Sequence, residues 1–266
     1  MSPEHTDSAV ERARDLISEA RRIVVLTGAG ISAESGVPTF RGPSGLWKSL
    51  RPEQLATPEA FARDPRLVWE WYAWRRALVA SCDPNTGHVA LARLALEPPA
   101  RTTIVTQNVD GLHHRAARMV AGDSTSGAET APDAAFPLEV HGAIHRDRCS
   151  RCDVRSEGVK DVDSSTLDTL PHCKACGGML RPDVVWFGEA LDPGVIGASL
   201  DAAGEADLCL VVGTSALVYP AASVPQVALQ AGGILIEANL ETTPLSPLAA
   251  VSLRGEAGKL LPALLG

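Results

Sequence analysis

The sequence has no surplus of basic residues, no long apolar run and no signal-peptide core. Its 24 lysine and arginine residues are outnumbered by 32 acidic ones, which gives a net charge of −8. Because neutralising nucleic-acid phosphates requires a basic face, this balance argues against nucleic acid as the main partner. No apolar run approaches 18 residues, so no membrane span is expected, and the polar residues 1–7 lack an apolar core. We therefore expect a cytoplasmic protein.

Four of the six cysteines fall in two Cys-x-x-Cys pairs, an arrangement that favours a bound metal over disulfides. The pairs are Cys149 with Cys152 and Cys173 with Cys176. Four thiolates at this spacing suit tetrahedral zinc with no open coordination position, which is typical of a structural site. The alternative is a set of four buried cysteines without a ligand.

A glycine turn follows the first predicted strand. The apolar run 23–26 leads into Gly28-Ala29-Gly30 and then into small residues. Strand, turn and helix start together predict a phosphate-binding loop, because free N–H groups at a helix start favour an anion. The glycines allow a tight turn and a close approach of the backbone to a pyrophosphate. The Gly-x-Gly-x-x-Ala pattern is a variant of the dinucleotide fingerprint, and the alternative is an ordinary glycine turn.

Further apolar strands alternate with helical segments, which predicts an α/β fold with a Rossmann-like, doubly wound parallel sheet. The expected strands are 101–106, 207–212, 233–237 and 251–254. In such sheets ligands bind beyond the carboxyl ends of the strands. Polar residues follow several of these ends, at 28–30, 107–110, 141–142, 213–215 and 239. We therefore expect the functional site at this edge.

Two sets of residues at these strand ends are candidates for chemistry. Gln107, Asn108 and Asp110 offer amide and carboxylate groups that can hold a carboxamide or a ribose, and the alternative is an Asx turn. His141 follows a short strand and can accept a proton near neutral pH. The alternative for His141 is a capping or core role, which is also our interpretation of the other histidines.

Segment 66–80 has the periodicity of a helix, with a core stripe formed by Leu67, Trp71, Trp74 and Leu78. Tyr72 and Arg75 are spaced i, i+3 and are expected on one side of this helix, beside the stripe. A guanidinium with a nearby phenol suits a carboxylate ligand. The alternative is a surface pair whose arginine stem lies along apolar surface.

Taken in order, these motifs resemble the sirtuin family of NAD-dependent protein deacylases. The resemblance is carried by segments 28–42 (GAGISAESGVPTFRG), 106–113, 139–142, 181–189 (RPDVVWFGE), 213–221 (GTSALVYPA) and 255–262, with Asn239 and the cysteine pairs. It implies a Rossmann-type NAD-binding domain at 8–41, 86–140 and 182–266, and a small domain made of a helical module at 42–85 and a zinc module at 141–181. Residues 121–135 have almost no large apolar side chain and are expected to form a flexible surface insertion.

The resemblance also implies ligands and roles for individual residues. NAD would be consumed as a co-substrate, beside one structural zinc ion, and the protein partners would be acylated-lysine substrates bound by a monomer. NAD contacts would come from Gly28, Ala29, Gly30, Ser32, Phe40 and Arg41, with Gly213, Thr214, Ser215, Asn239 and Ala257 at the adenosine end. Gln107, Asn108 and Asp110 would line the nicotinamide and ribose pocket and form the catalytic set with His141, the general base. Val185, Trp186, Phe187, Gly188 and Glu189 would pair with the acyl-lysine peptide as an added strand.

The implied reaction is a group transfer. The acyl carbonyl oxygen attacks the ribose carbon that bears nicotinamide, which leaves. His141 then takes a proton from a ribose hydroxyl, and the products are free lysine, nicotinamide and O-acyl-ADP-ribose. The glycine motif is not followed by the ribose-binding acid of dehydrogenases, which fits this family better than an oxidoreductase.

The sequence further resembles the branch of the family that removes acidic acyl groups. This resemblance rests on segments 55–61 (LATPEAF) and 71–76 (WYAWRR) and on Thr39. It implies that Ala56 leaves room at the end of the acyl pocket, and that Tyr72 and Arg75 bind the distal carboxylate of succinyl- or malonyl-lysine. The alternatives are a plain deacetylase, a mono-ADP-ribosyltransferase, and a non-catalytic NAD-binding or zinc-ribbon interaction module.

Overall fold

A six-stranded, fully parallel sheet forms the centre of the larger domain. In the computed structural model, which describes residues 3–39, 50–96, 100–123 and 136–266, its strands are β1 (Arg22–Thr27), β2 (Arg101–Thr106), β3 (Leu138–Glu139), β7 (Leu208–Val212), β8 (Ile234–Asn239) and β9 (Val251–Arg254). They lie side by side in the order β3-β2-β1-β7-β8-β9. Three further strands, β4 (Gly142–Cys149), β5 (Arg155–Glu157) and β6 (Leu180–Val184), form a separate sheet. The predicted doubly wound parallel sheet is confirmed.

Helices cover both faces of this sheet. The helices in the described residues are α1 (Pro3–Glu19), α2 (Ala29–Ala33), α3 (Pro52–Leu55), α4 (Pro58–Arg63), α5 (Pro65–Ala80), α6 (Thr86–Leu96), α7 (Leu112–Asp123), α8 (Pro193–Gly204), α9 (Ser223–Gln230) and α10 (Ala257–Leu265). Of these, α3, α4 and α5 belong to the small domain and do not cover this sheet. Alternate residues of β1 point to opposite cores: Val25 packs with α1, α6 and α10, and Val24 packs with α8 and α9. Burial on both faces explains why the strands read as continuous apolar runs. Within the described ranges, no helix is long and apolar enough to cross a membrane.

The small domain joins two segments that are distant in the sequence. An antiparallel sheet of order β5-β4-β6 packs with α3, α4 and α5 around one apolar core. The half-buried guanidinium of Arg76 connects the two parts, since it donates to the carbonyls of Ile144 (2.6 Å) and Arg146 (3.1 Å) and to the carboxylate of Asp147 (2.5 Å). The predicted boundary between residues 181 and 182 falls inside β6, so the small domain extends beyond it.

The buried face of α5 differs from the predicted one. The buried residues are Val68, Trp69, Trp71, Tyr72 and Val79, whereas Trp74 is 39% exposed. The predicted core stripe of α5 was wrong because Trp69 and Tyr72 are buried with their polar groups hydrogen-bonded. The Trp69 indole donates to the carbonyl of Leu180 at 3.0 Å. Tyr72 therefore lies within the core and not beside it.

The predicted insertion begins later than expected. Residues 121–123 belong to the last turn of α7, which ends at Asp123. The remainder of the predicted flexible insertion, 124–135, lies outside the described residues.

Candidate functional site

The loops after β1 and β7 are bonded directly to each other. The amide of Gly28 donates to the carbonyl of Val212 (3.1 Å), and that of Gly30 donates to the carbonyl of Gly213 (2.8 Å). A Cβ atom on Gly28 would lie 2.6 Å from the Cβ of Thr214, and one on Gly30 would lie 2.7 Å from the Cα of Gly213. The close approach that requires glycine is thus an approach of loop to loop. The predicted approach of these glycines to a pyrophosphate stays a prediction.

Side-chain amides hold the same loops together. Asn108 donates to the carbonyl of Gly28 and to the hydroxyl of Ser32, both at 3.1 Å. Gln107 donates to the Thr214 hydroxyl at 2.9 Å, and Asn239 donates to the Thr214 carbonyl at 2.9 Å. The structure therefore brings the predicted strand-end residues into one hydrogen-bonded group. These donors also rigidify the loops on which any ligand would lie.

Asp110 is buried beside this group. Its carboxylate accepts a hydrogen bond from the amide of Leu112 at 2.9 Å, which is the Asx turn considered for this segment. Burial raises the pKa of Asp110, while the bonds from Leu112 and Ser32 and the nearby charge of Arg75 lower it in part. The turn and a role in the site are compatible, because the turn aims the carboxylate inward toward Ser32 and Arg75.

The imidazole of His141 is oriented as a proton acceptor. Its Nδ1 lies 3.0 Å from the carbonyl oxygen of Gln107, which can only accept a hydrogen bond. Nδ1 therefore carries the hydrogen, and the lone pair of the neutral ring is on Nε2. Burial lowers the pKa of His141, and the bond to Gln107 offsets this in part, so the ring is neutral at pH 7. A neutral, partly buried imidazole with a free lone pair suits a general base.

Two further histidines lie beneath the site, and sequence reasoning gave them no part in it. The Nδ1 atom of His88 accepts a hydrogen bond from the amide of Asn85 at 3.3 Å, so its Nε2 donates to the Ser32 hydroxyl, also at 3.3 Å. The Nε2 atom of His113 lies 3.0 Å from the hydroxyl of Thr27, and the two rings are 4.9 Å apart. Both are core histidines, as expected. Their connection to the site arises from tertiary contacts, for which the sequence carries no local signal.

Tyr72 and Arg75 approach the site from the helical module. The phenol oxygen of Tyr72 accepts a hydrogen bond from the indole of Trp186 at 2.8 Å. Burial raises the pKa of Tyr72 to about 12, so the phenol is neutral. Burial lowers the pKa of Arg75, and the interactions with Tyr72 and Asp110 offset part of this effect. The structure therefore buries Tyr72 in the core of the small domain and places Arg75 within electrostatic reach of both Tyr72 and Asp110.

The segment proposed to bind a peptide strand, 185–189, is a turn in this structure. Backbone N–H groups of four of its residues already have acceptors: Val185 donates to His141, Phe187 to Ala56, Glu189 to Trp186, and Trp186 to the Glu189 carboxylate. That carboxylate also accepts from Arg148 and Arg181, so the Glu189 side chain holds the turn. A peptide adding here as a strand could pair with these four N–H groups only by displacing their acceptors.

The four cysteines predicted to bind zinc converge. Their sulfur atoms lie within 4.8 Å of one another, as four ligands of one ion would. Backbone amides of Arg151 and Gly178 donate to the sulfurs of Cys149 and Cys176, each at 3.4 Å, and such donors stabilise thiolates. The donor set and its convergence fit a closed, structural zinc site.

The remaining predicted site residues are placed as follows. Ala56 is buried, and its carbonyl accepts from Phe187 at 2.9 Å; the side chain of Phe187 is exposed, and Gly188 has a positive φ of 87°. Ala257 is buried at the start of α10, where the next amide, that of Gly258, donates to Glu34 at 2.8 Å. Ala29 opens α2, and Ser215 is half-buried after β7. Phe40 and Arg41 lie outside the described residues.

Comparison with known proteins identifies the relatives of this chain. The sequence model described as "Sir2 family" matches residues 28–220. "NAD-dependent protein deacylase 2" of Pyrobaculum aerophilum is 47% identical over 250 residues, which cover 94% of this chain and 92% of the relative. The "crystal structure of a Sir2 homolog–NAD complex" is 44% identical, with a TM-score of 0.83 and coverage of 96% and 92%. A "Sir2–p53 peptide–NAD+" structure is 30% identical, with a TM-score of 0.78 and coverage of 95% of each chain.

Proposed function

Since the chain belongs to the Sir2 family of NAD-dependent protein deacylases, we propose that it removes succinyl and malonyl groups from protein lysines. The acyl group is transferred to ADP-ribose, and nicotinamide is released. Its relatives are named as NAD-dependent deacylases, and solved Sir2 structures contain NAD or a p53 peptide, which supports NAD as co-substrate and acyl-lysine proteins as partners. The preference for acidic acyl groups is proposed from the residues of this chain and not from the names of its relatives.

One observation carries this preference: a phenol and a guanidinium lie together in the interior of the small domain. Tyr72 is only 2% exposed and Arg75 is half-buried. A phenol hydroxyl and a guanidinium side by side can both donate hydrogen bonds to one carboxylate, and such charge-assisted bonds are strong where water is partly excluded. The distal carboxylate of a succinyl or malonyl group is such an acceptor, whereas an acetyl group has no polar atom at this distance along the chain.

The strand-end residues complete the reaction site. His141 accepts a proton from a ribose hydroxyl at Nε2, because Nδ1 is occupied by the carbonyl of Gln107. Gln107, Asn108 and Asp110 hold the nicotinamide ribose between the loops that follow β1 and β2. Gly213–Ser215 and Asn239 lie at the adenosine end. Positioning of the two reactants supplies much of the rate, and the base contributes about 10²–10⁴-fold.

The preference is tested with purified enzyme, NAD and peptides that differ only in carrying acetyl-, malonyl- or succinyl-lysine. We expect Arg75→Met to lower succinyl turnover about 10- to 100-fold more than acetyl turnover, because a charge-assisted hydrogen bond contributes about 1.5–3 kcal/mol. Mass spectrometry of the peptides and of O-acyl-ADP-ribose measures both reactions. Arg63→Met, an exposed arginine of the same module, is the matched control.

The alternatives give different products in the same assay. Equal or better acetyl turnover that does not respond to Arg75→Met would assign the chain as a deacetylase. A mass of ADP-ribose left on protein would indicate a mono-ADP-ribosyltransferase. Absence of nicotinamide release with every acyl peptide would leave only a non-catalytic binding module.

A further inference from the structure

Trp186 is held more tightly than its predicted role in backbone pairing requires. Its side chain is 2% exposed, and its ring packs against Phe61 with centroids 5.3 Å apart. The guanidinium of Arg181 lies 3.3 Å from the ring centroid on a cation–π contact. Arg181 is itself fixed, since it donates to the carboxylate of Glu189 and to the carbonyl of Val184 at 2.6 Å. The indole therefore has one orientation.

This orientation aims the indole N–H at the phenol oxygen of Tyr72, at 2.8 Å. An indole N–H can only donate, so the phenol oxygen must accept. A phenol hydrogen lies close to the ring plane, in one of two directions. Because the indole occupies one of these directions, the hydrogen of Tyr72 is turned to the other, where it can donate to a second group. The Tyr72 ring is in turn held by Trp71, with centroids 4.6 Å apart.

A carboxylate is the complementary ligand for a phenol fixed in this way. It can only accept hydrogen bonds, and the positive charge of Arg75 is close to Tyr72. A donor chain from indole to phenol to carboxylate polarises each bond in the same direction, which strengthens the last one. An acetyl group would leave the phenol hydrogen without this acceptor.

We propose that Trp186 is a specificity-determining residue, whose indole N–H fixes the Tyr72 hydroxyl as a donor to the distal carboxylate of the acyl group. It is a positioning residue, because it acts through Tyr72. The inference rests on the proposed preference for succinyl and malonyl groups. The proposal adds Trp186, which lies outside α5, to Tyr72 and Arg75, which lie on it.

A double-mutant cycle tests the proposal through the ratio of succinyl to acetyl kcat/KM. We expect Trp186→Phe to lower this ratio about 2- to 10-fold, and Tyr72→Phe to lower it at least as much. The double variant should match Tyr72→Phe alone, because without the hydroxyl the indole has nothing to orient. Phe61→Leu, which changes packing on the same ring but not its N–H, is the matched control and should keep the ratio.

A measurement on the unmutated protein does not depend on whether Trp186→Phe folds. The chain has two tyrosines, so tyrosine labelled with ¹³C at Cζ gives two signals, and Tyr219→Phe assigns them. Cζ reports hydrogen bonding of the phenol. We expect a succinyl-lysine peptide to shift the Tyr72 signal and an acetyl-lysine peptide to shift it much less. Where Trp186→Phe folds, it should move the signal of the free protein and reduce the response to the succinyl peptide.

The outcomes separate this inference from the proposed function. If the wild type prefers succinyl and the ratio is unchanged in Trp186→Phe, or the two substitutions act additively, the role of Trp186 is refuted and the preference stands. A Tyr72 signal that responds equally to both peptides refutes it as well. If the wild type shows no succinyl preference, the proposed function itself fails.

Discussion

The two sides of the candidate site are built by different means. The strand-end side, made of the loops after β1, β2 and β7, is held by backbone contacts and side-chain amides within one domain. The α5 side, made of Tyr72, Arg75 and Trp186, is held by side chains from segments more than 100 residues apart. The first side follows from the topology of a parallel sheet. The second exists only because the small domain packs as it does.

Removing zinc should have the largest effect, and it should act on the α5 side. Structural zinc contributes about 10–16 kcal/mol of apparent binding free energy in small domains, and here its cysteines anchor the sheet against which α5 packs. We expect chelation or Cys173→Ser to shift the tryptophan emission to the red, since Trp69 and Trp71 are buried in the same core. Amide exchange in β1 should remain slow. Full activity and an unchanged melting curve in metal-free protein would contradict a structural role.

His141→Ala should have the next largest effect, and it acts where the two sides meet. Loss of the general base should lower acyl transfer about 10²–10⁴-fold, while NAD binding persists because the loops after β1 and β7 are intact. Turnover of a succinyl peptide and calorimetric titration with NAD give the two quantities. His145→Ala, at an exposed histidine of β4, is the control. If the turnover of His141→Ala equals that of the wild type, His141 is not the general base.

Acid should weaken the strand-end side through His88. Burial lowers the pKa of His88 to about 4, whereas its unfolded pKa is about 6.5. Protonation would also place a hydrogen on Nδ1, which faces the amide of Asn85. Between these values the unfolded chain binds more protons, so stability falls as the pH drops from about 6.5 to 4, by up to about 3 kcal/mol.

Thermal melting at pH 7 and pH 4 measures this loss in the wild type and in His88→Gln. Because the other titrating groups are shared, the difference between the two chains isolates His88. We expect the variant to lose less stability than the wild type. Equal losses would show that His88 does not contribute to the acid sensitivity.

Gly30→Ala should have the smallest effect and measures how closely the two loops pack. A Cβ atom would lie 2.7 Å from the Cα of Gly213, so backbone must shift, and overpacking of this kind costs about 1–3 kcal/mol. Gly197→Ala on α8 is the matched control, because among the described residues nothing beyond its own helix backbone and chain neighbours lies within 4 Å of the added Cβ. Urea denaturation should show a loss for the first variant and none for the second. Equal free energies of unfolding for the two variants would mean that the loops after β1 and β7 can move apart without cost.

Much of the strand-end side could be predicted from the sequence. Alternation of buried strands with helices fixes a parallel sheet, and the polar residues at strand ends, such as Gln107 and Thr214, must then meet. The phosphate-loop pattern identified Gly28 and Gly30, but it did not reveal their tight contacts with the loop that follows β7. The participation of His88 could not be predicted, because its partner Ser32 lies 56 residues away in the sequence.

The sequence by itself determined the parallel, doubly wound class of the sheet and the pairing of four cysteines for one site, which depend on periodicity and spacing. Its motifs, by their resemblance to known ones, determined the family. Only the tertiary structure decided which face of α5 is buried, which nitrogen of His141 carries its hydrogen, and that Trp186 bonds to Tyr72. The buried face of α5 and the bond from Trp186 to Tyr72 depend on packing within the one core of the small domain, which contains both residues. The hydrogen on His141 depends on its contact with the carbonyl of Gln107. These contacts join segments that are separated in the sequence, so local patterns do not reveal them.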